Sequence, residues 1–82
     1  MVEDTVYYYK RPCPENPEKS VTSFFQDFST ALKNMEKDVK DFFSGADIGV
    51  ASEHFGLEWE RTGNTKAIAV FEEFEWKVGQ VA

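Results

Sequence analysis

Residues 20–44 read SVTSFFQDFSTALKNMEKDVKDFFS, and the fold turns on how this stretch is read. Its large apolar residues fall at Val21, Phe25, Phe28, Leu32, Met35, Val39 and Phe42. Spacings that alternate between four and three predict one amphipathic helix over about residues 20–44. Phe24, Ala31 and Phe43 widen the stripe into a face broad enough to lie on a sheet. Ser20 or Ser23 can cap its start, with Ser23 and Gln26 in capping-box spacing. Gly45 supplies a natural stop, because glycine accepts the left-handed conformation. The opposite face carries Lys33, Glu36, Lys37, Asp38, Lys40 and Asp41, close to charge balance.

Upstream, residues 4–11 (DTVYYYKR) have the β-branched and aromatic content of a strand, with Val6 and Tyr8 on one face and Tyr7 and Tyr9 on the other. Pro12, Pro14 and Pro17 follow, so residues 12–19 read as a stiff connector. Downstream, residues 47–78 read as a hairpin around Gly63-Asn64. If Thr62 pairs with Thr65, Trp59 faces Ile68 and Leu57 faces Val70 on the apolar side. Glu58 and Glu60 then face Ala69 and Ala67 on the other. A phase shift near His54–Gly56 suggests a bulge. The expected architecture is a single α+β domain over residues 1–82, β-α-β-β, with one long helix on one face of a three-stranded, mostly antiparallel sheet.

The chain offers little chemistry. His54 and Cys13 are single and distant in sequence, so no zinc-type ligand set forms and an intrachain disulfide is impossible. Cys13 between prolines lacks a neighbouring base. The five glycines are scattered and form no phosphate loop. No catalytic residue, metal or cofactor is expected, and the chain does not read as an enzyme. It shows no secretory leader and no apolar run of membrane length, so a cytoplasmic protein without membrane contact is expected.

Charge is more informative. The formal net charge is -6. That disfavours direct nucleic-acid binding, which needs Lys and Arg against phosphates. It favours steering toward a basic partner. Residues 46–82 hold most of the excess: Asp47, Glu53, Glu58, Glu60, Glu72, Glu73 and Glu75 against Arg61, Lys66 and Lys77. On the register above, Glu58, Glu60, Glu73 and Glu75 point away from the helix as two adjacent carboxylate rows. Glu72 falls on the inward parity near the sheet's end, and Phe71, Tyr7 and Tyr9 border the acidic face. Carboxylates at i and i+2 on a strand lie about 6.8 Å apart, and two such rows approach the phosphate density of a DNA strand.

In size, acidity and aromatic content the chain resembles the small acidic inhibitors encoded by bacteriophages, which mimic DNA and occupy nucleic-acid-binding sites on host proteins. Within that class it is most similar in character to an inhibitor of the nucleoid protein HU. The resemblance implies a basic DNA-binding protein as partner and a host-cell cytoplasmic location; the charge distribution itself gives the expected binding face, Glu53, Glu58, Glu60, Glu72, Glu73 and Glu75. Glu36, Asp38 and Asp41 form a second acidic group. The alternative is an interaction or assembly module, monomer or homodimer, that uses exposed aromatics and a free sheet edge.

Overall fold

The computed structural model describes residues 5–81. It contains five strands and two helices in the order β1 (Tyr7–Cys13), β2 (Asn16–Phe25), α1 (Phe28–Phe42), α2 (Ile48–Phe55), β3 (Glu58–Thr62), β4 (Lys66–Phe71) and β5 (Phe74–Gln80). The strands form one antiparallel sheet in the order β2-β1-β5-β4-β3. The α+β class is as expected. The three-stranded sheet with a single long helix is not, and three local readings account for the difference.

The first is the helix start. Residues 16–25 are strand β2, and the helix begins only at Phe28. Val21 and Phe25 are four apart, a spacing that puts two residues on one face of a strand as readily as of a helix. Ser20–Phe25 is a run of β-branched, aromatic and hydroxyl residues, which suits a strand. The expected connector is instead the end of a β1–β2 hairpin that turns at Pro14-Glu15, with Arg11 paired to Val21, Pro12 to Ser20 and Cys13 to Asn16. Pro12 lies beyond Lys10, the last residue of β1 paired with β5, so no ladder on that side needs its missing N–H.

The true N-cap of α1 is Asp27, not Ser20 or Ser23. Its Oδ1 accepts from the Thr30 backbone N–H at 2.7 Å and from the Thr30 hydroxyl at 2.8 Å. These bonds hold the Asp27 carboxyl below its ordinary value. A depressed folded-state pKa means the cap's contribution is complete above the unfolded value of 3.8 and is lost as pH falls through the lower folded value. Asp27→Asn keeps a good cap that does not titrate. Its thermal melting temperature is expected to change less than that of the native chain over this acid range.

The stop near Gly45 holds. The Gly45 N–H donates to the Lys40 carbonyl at 2.7 Å and the Ser44 N–H to the Asp41 carbonyl at 3.2 Å, the two bonds of a Schellman motif. Ser44, with φ of 57°, takes the left-handed position just before the glycine.

The second reading concerns residues 47–56. They form α2, capped by Asp47 and closed by Gly56 at φ of 79°. The phase shift near His54 is a change from helical to strand period, not a bulge. The third concerns AVFEEFEW (residues 69–76), which contains a whole turn. Phe71 pairs with Phe74, and Glu72-Glu73 link β4 to β5.

The β3–β4 register also moves by one residue. Thr62 pairs with Lys66 across a three-residue loop, so Trp59 faces Ala69 and Glu60 faces Ile68. Such a slip moves every β4 side chain to the other face. Ala67 and Ala69 now lie beneath the helices, fully buried, while Ile68 and Val70 turn to the open face half-buried. The packing explains this choice, because small side chains on β4 leave room for the aromatic layer above it.

That layer is the core. Leu32, Met35 and Val39 from α1, Ile48 and Ala51 from α2, Leu57, and Tyr9, Trp76 and Val78 from the sheet are buried together. Phe42 sits at one end, with ring centroids 5.1 Å from Trp76 and 4.8 Å from Phe74. Tyr9 ties β1 to α1: its hydroxyl donates to Asp38 Oδ2 at 2.6 Å, and Arg11 Nη1 lies 3.4 Å from the same oxygen. Burial, reinforced by the Asp38 carboxylate, pushes the Tyr9 phenol well above its ordinary value. Tyr9→Phe removes one charge-assisted bond and leaves Asp38 its arginine and partial solvent contact. A loss of about 1–2 kcal/mol in urea unfolding is expected.

Candidate functional site

The strand registers give each acidic residue an address. Glu58, Val70 and Glu75 form one cross-strand row on the open face of the sheet. Glu60, Ile68, Lys77, Lys10 and Thr22 form the next. Strand β4 separates β3 from β5, so Glu58 and Glu75 stand about 9.6 Å apart rather than on adjacent strands. Lys10 and Lys77 share the same face. The expected pair of adjacent carboxylate rows is therefore replaced by a mixed face, with Tyr8 lying over Gly79 at its centre.

The aromatics expected beside the acidic face are on the helix side. Tyr7 meets Phe28 edge-on at 5.8 Å, Tyr9 is buried, and Phe71 packs against Phe43 at 5.0 Å. Asp38 is engaged with Tyr9 and Arg11, in the one ion pair within 4.0 Å among the described residues. Glu36 and Asp41 remain exposed on α1.

What the structure does collect is one end of the molecule. Helix α1 runs from Phe28, beside Tyr7 and Arg61, to Phe42, beside Phe71 and Phe74. The end at Phe42 carries Glu72 and Glu73 at the turn, and Glu58 and Glu75 in the adjoining row. Asp41 lies in the last turn of α1, with Lys40 beside it. Glu53 lies in the last turn of α2, whose Phe55 stacks on Phe43 at 5.1 Å. The opposite end carries Arg61, Lys66 and Lys33 with Asp27. Arg61 donates to the Gly63 carbonyl at 2.9 Å and to Asn64 Oδ1 at 2.7 Å, and its guanidinium lies over Phe28. Glu60 stays near the middle of β3, away from the acidic end.

Glu72 has φ of 53°, a left-handed conformation at a residue with a Cβ. Two-residue hairpin turns favour Gly, Asn or Asp where φ is positive. Strained backbone of this kind concentrates at functional positions. The residue pattern FEEF, two carboxylates between two aromatics that face each other across the turn, was the available sequence signal.

Beside the acidic end, a groove of about 550 Å³ lies between the β1–β2 hairpin and α1. Pro12, Cys13 and Val21 form one wall, Phe42 and Trp76 the floor, and Asp41 with the Arg11–Asp38 pair the charged margin. Cys13 is a free, partly buried thiol. His54, exposed on α2, does not line this groove, so no nucleophile–base pair is assembled there. Among the described residues no three His, Cys, Asp or Glu side chains converge as metal ligands, and no helix is long and apolar enough to cross a membrane.

Fold and site together define a two-layer α+β protein with an acidic end and an apolar groove beside it. Compared with known proteins, the chain matches no family model, no curated protein and no solved structure. Function is accordingly argued from the site.

Proposed function

We propose that this protein is a non-catalytic binding protein that docks its acidic end on a basic surface of a partner protein, of the kind a DNA-binding protein such as HU presents. The observation that carries the reading is the Glu72-Glu73 turn. Glu72 occupies a position where the backbone favours glycine or asparagine, Glu73 follows it, and Glu58 and Glu75 stand in the adjoining cross-strand row. The adjacent groove offers an apolar slot in which Arg11 is paired with Asp38 and Asp41 is left for a basic side chain with a long aliphatic stem. Charge mimicry of DNA is thus concentrated at one end of the molecule instead of spread over the sheet.

The test pairs binding with stability. Glu72→Gly relieves the backbone and is expected to raise unfolding stability by up to about 1 kcal/mol. Glu72→Gln with Glu73→Gln is expected to weaken binding to a basic DNA-binding protein roughly tenfold at low salt, with melting temperature preserved. Native affinity should fall as salt rises, read by titration calorimetry. Salt-independent affinity, or full affinity in the double Gln variant, would overturn the reading.

A further inference from the structure

The sheet has two edges, and they are protected very differently. Strand β3, on one edge, is five residues long and carries Glu58, Glu60 and Arg61. Charged side chains on a short strand are a common defence against strand addition. Strand β2, on the other edge, is ten residues long. Among the described residues nothing pairs with its outer side. Its second half, Ser20–Phe25 (SVTSFF), has no charge, no proline and no glycine, and has high β propensity. Val21 is 43% exposed and Phe24 63%. The guards on this strand, Pro17, Glu18 and Lys19, all lie in its first half, and its second half carries none.

We propose that the β2 edge pairs with β2 of a second copy of this chain, antiparallel about a two-fold axis at Ser23, giving a continuous ten-stranded sheet. Residues directly opposite in antiparallel strands share a face, so the two-fold must pass through a residue facing its own copy. With Ser23 on the axis, Thr22 faces Phe24 on the open side of the sheet, and Val21 faces Phe25 on the helix side. Both are β-branched–aromatic pairs, which stabilise antiparallel sheets. Within β2 the residues that can pair about this axis are Val21–Phe25 of each copy. No charged residue lies in this window, and the pairing runs about 17 Å along the strands. This self-complementarity selects a second copy over an unrelated strand. The pairing is independent of the acidic end, which lies on other elements.

Salt separates the two. Each copy carries net charge -6, so screening reduces repulsion between copies and strengthens self-association. Docking of the acidic end on a basic partner weakens under the same change. Sedimentation velocity from micromolar to millimolar protein is expected to show a monomer–dimer equilibrium that shifts toward dimer at high salt. Phe24→Lys places a charge on the edge and is expected to weaken the dimer at least about tenfold, with an unchanged far-ultraviolet spectrum. A register test follows from the geometry. In a Cys13→Ser background, Ser23→Cys puts two thiols on Cα atoms about 4.5–5.5 Å apart, within disulfide reach. Oxidation should cross-link this variant and leave Glu60→Cys, on the β3 edge, without a cross-link. A chain that stays monomeric to millimolar concentration, or cross-linking at Glu60 in place of Ser23, would overturn the proposal.

Discussion

Replacing Trp76 by alanine is expected to lower the free energy of unfolding by about 3–5 kcal/mol. Trp76 stands on β5, the middle strand of five, and is 2% exposed. Its ring meets Phe42 of α1 edge-on at 5.1 Å and stacks near Phe74 at 6.3 Å, while Ala69 across the ladder leaves space for it. Truncation removes the largest side chain beneath α1 and opens a cavity that the sheet backbone cannot close. A domain of this size has about 5–15 kcal/mol in total, so the variant is left near the threshold of folding. Trp76→Phe keeps an aromatic ring against Phe42 and should retain most of the stability. Urea unfolding followed by far-ultraviolet circular dichroism measures both. A loss under about 1 kcal/mol for the alanine variant would mean that the α1–β5 contact is not the centre of the fold.

Met35→Ala is expected to cost about 2–5 kcal/mol, and Met35→Leu less than about 1.5 kcal/mol. Met35 is fully buried in the middle of the inward stripe of α1, with Leu32 and Val39 on either side. An unbranched thioether there fills an irregular space between helix and sheet. Leucine preserves volume, and alanine does not. The gap between the two variants isolates the cavity from any change in helix propensity, since both replacements are good helix formers. Equal losses for the two would show that shape, not volume, is limiting at this site.

Several features were legible directly in the residues. The inward stripe from Phe28 to Phe42 is a true helix face, because spacings of three fit no strand. The stop at Ser44-Gly45 and the split of β1 into a Tyr8 face and a Tyr7–Tyr9 face both hold. Phe74 and Trp76 point inward as expected. The acidic excess of the last half of the chain is a property of composition alone.

Other features depended on partners distant in sequence. Val21 and Phe25 satisfy both periods, and what makes them strand is pairing with Arg11 and Tyr7 of β1. Glu72 and Glu73 fit a strand's alternation as well as a turn, and what makes them a turn is the pairing of Phe71 with Phe74. The β3–β4 register was open to a slip of one residue until Ala67 and Ala69 were needed under the helices. Those three outcomes moved Glu72 and Glu73 from a face to a turn, separated Glu58 from Glu75 by a strand, and left the uncharged second half of β2 on an edge.

By itself, then, the sequence determined the α+β class, the inward face of α1 from Phe28 onward, its stop and the acidity of the chain, since each rests on local spacing or on composition. Tertiary structure alone decided the number of strands, their register and the placement of the glutamates. Side chains in a strand repeat every two residues, and a one-residue choice made by packing carries every one of them to the other side.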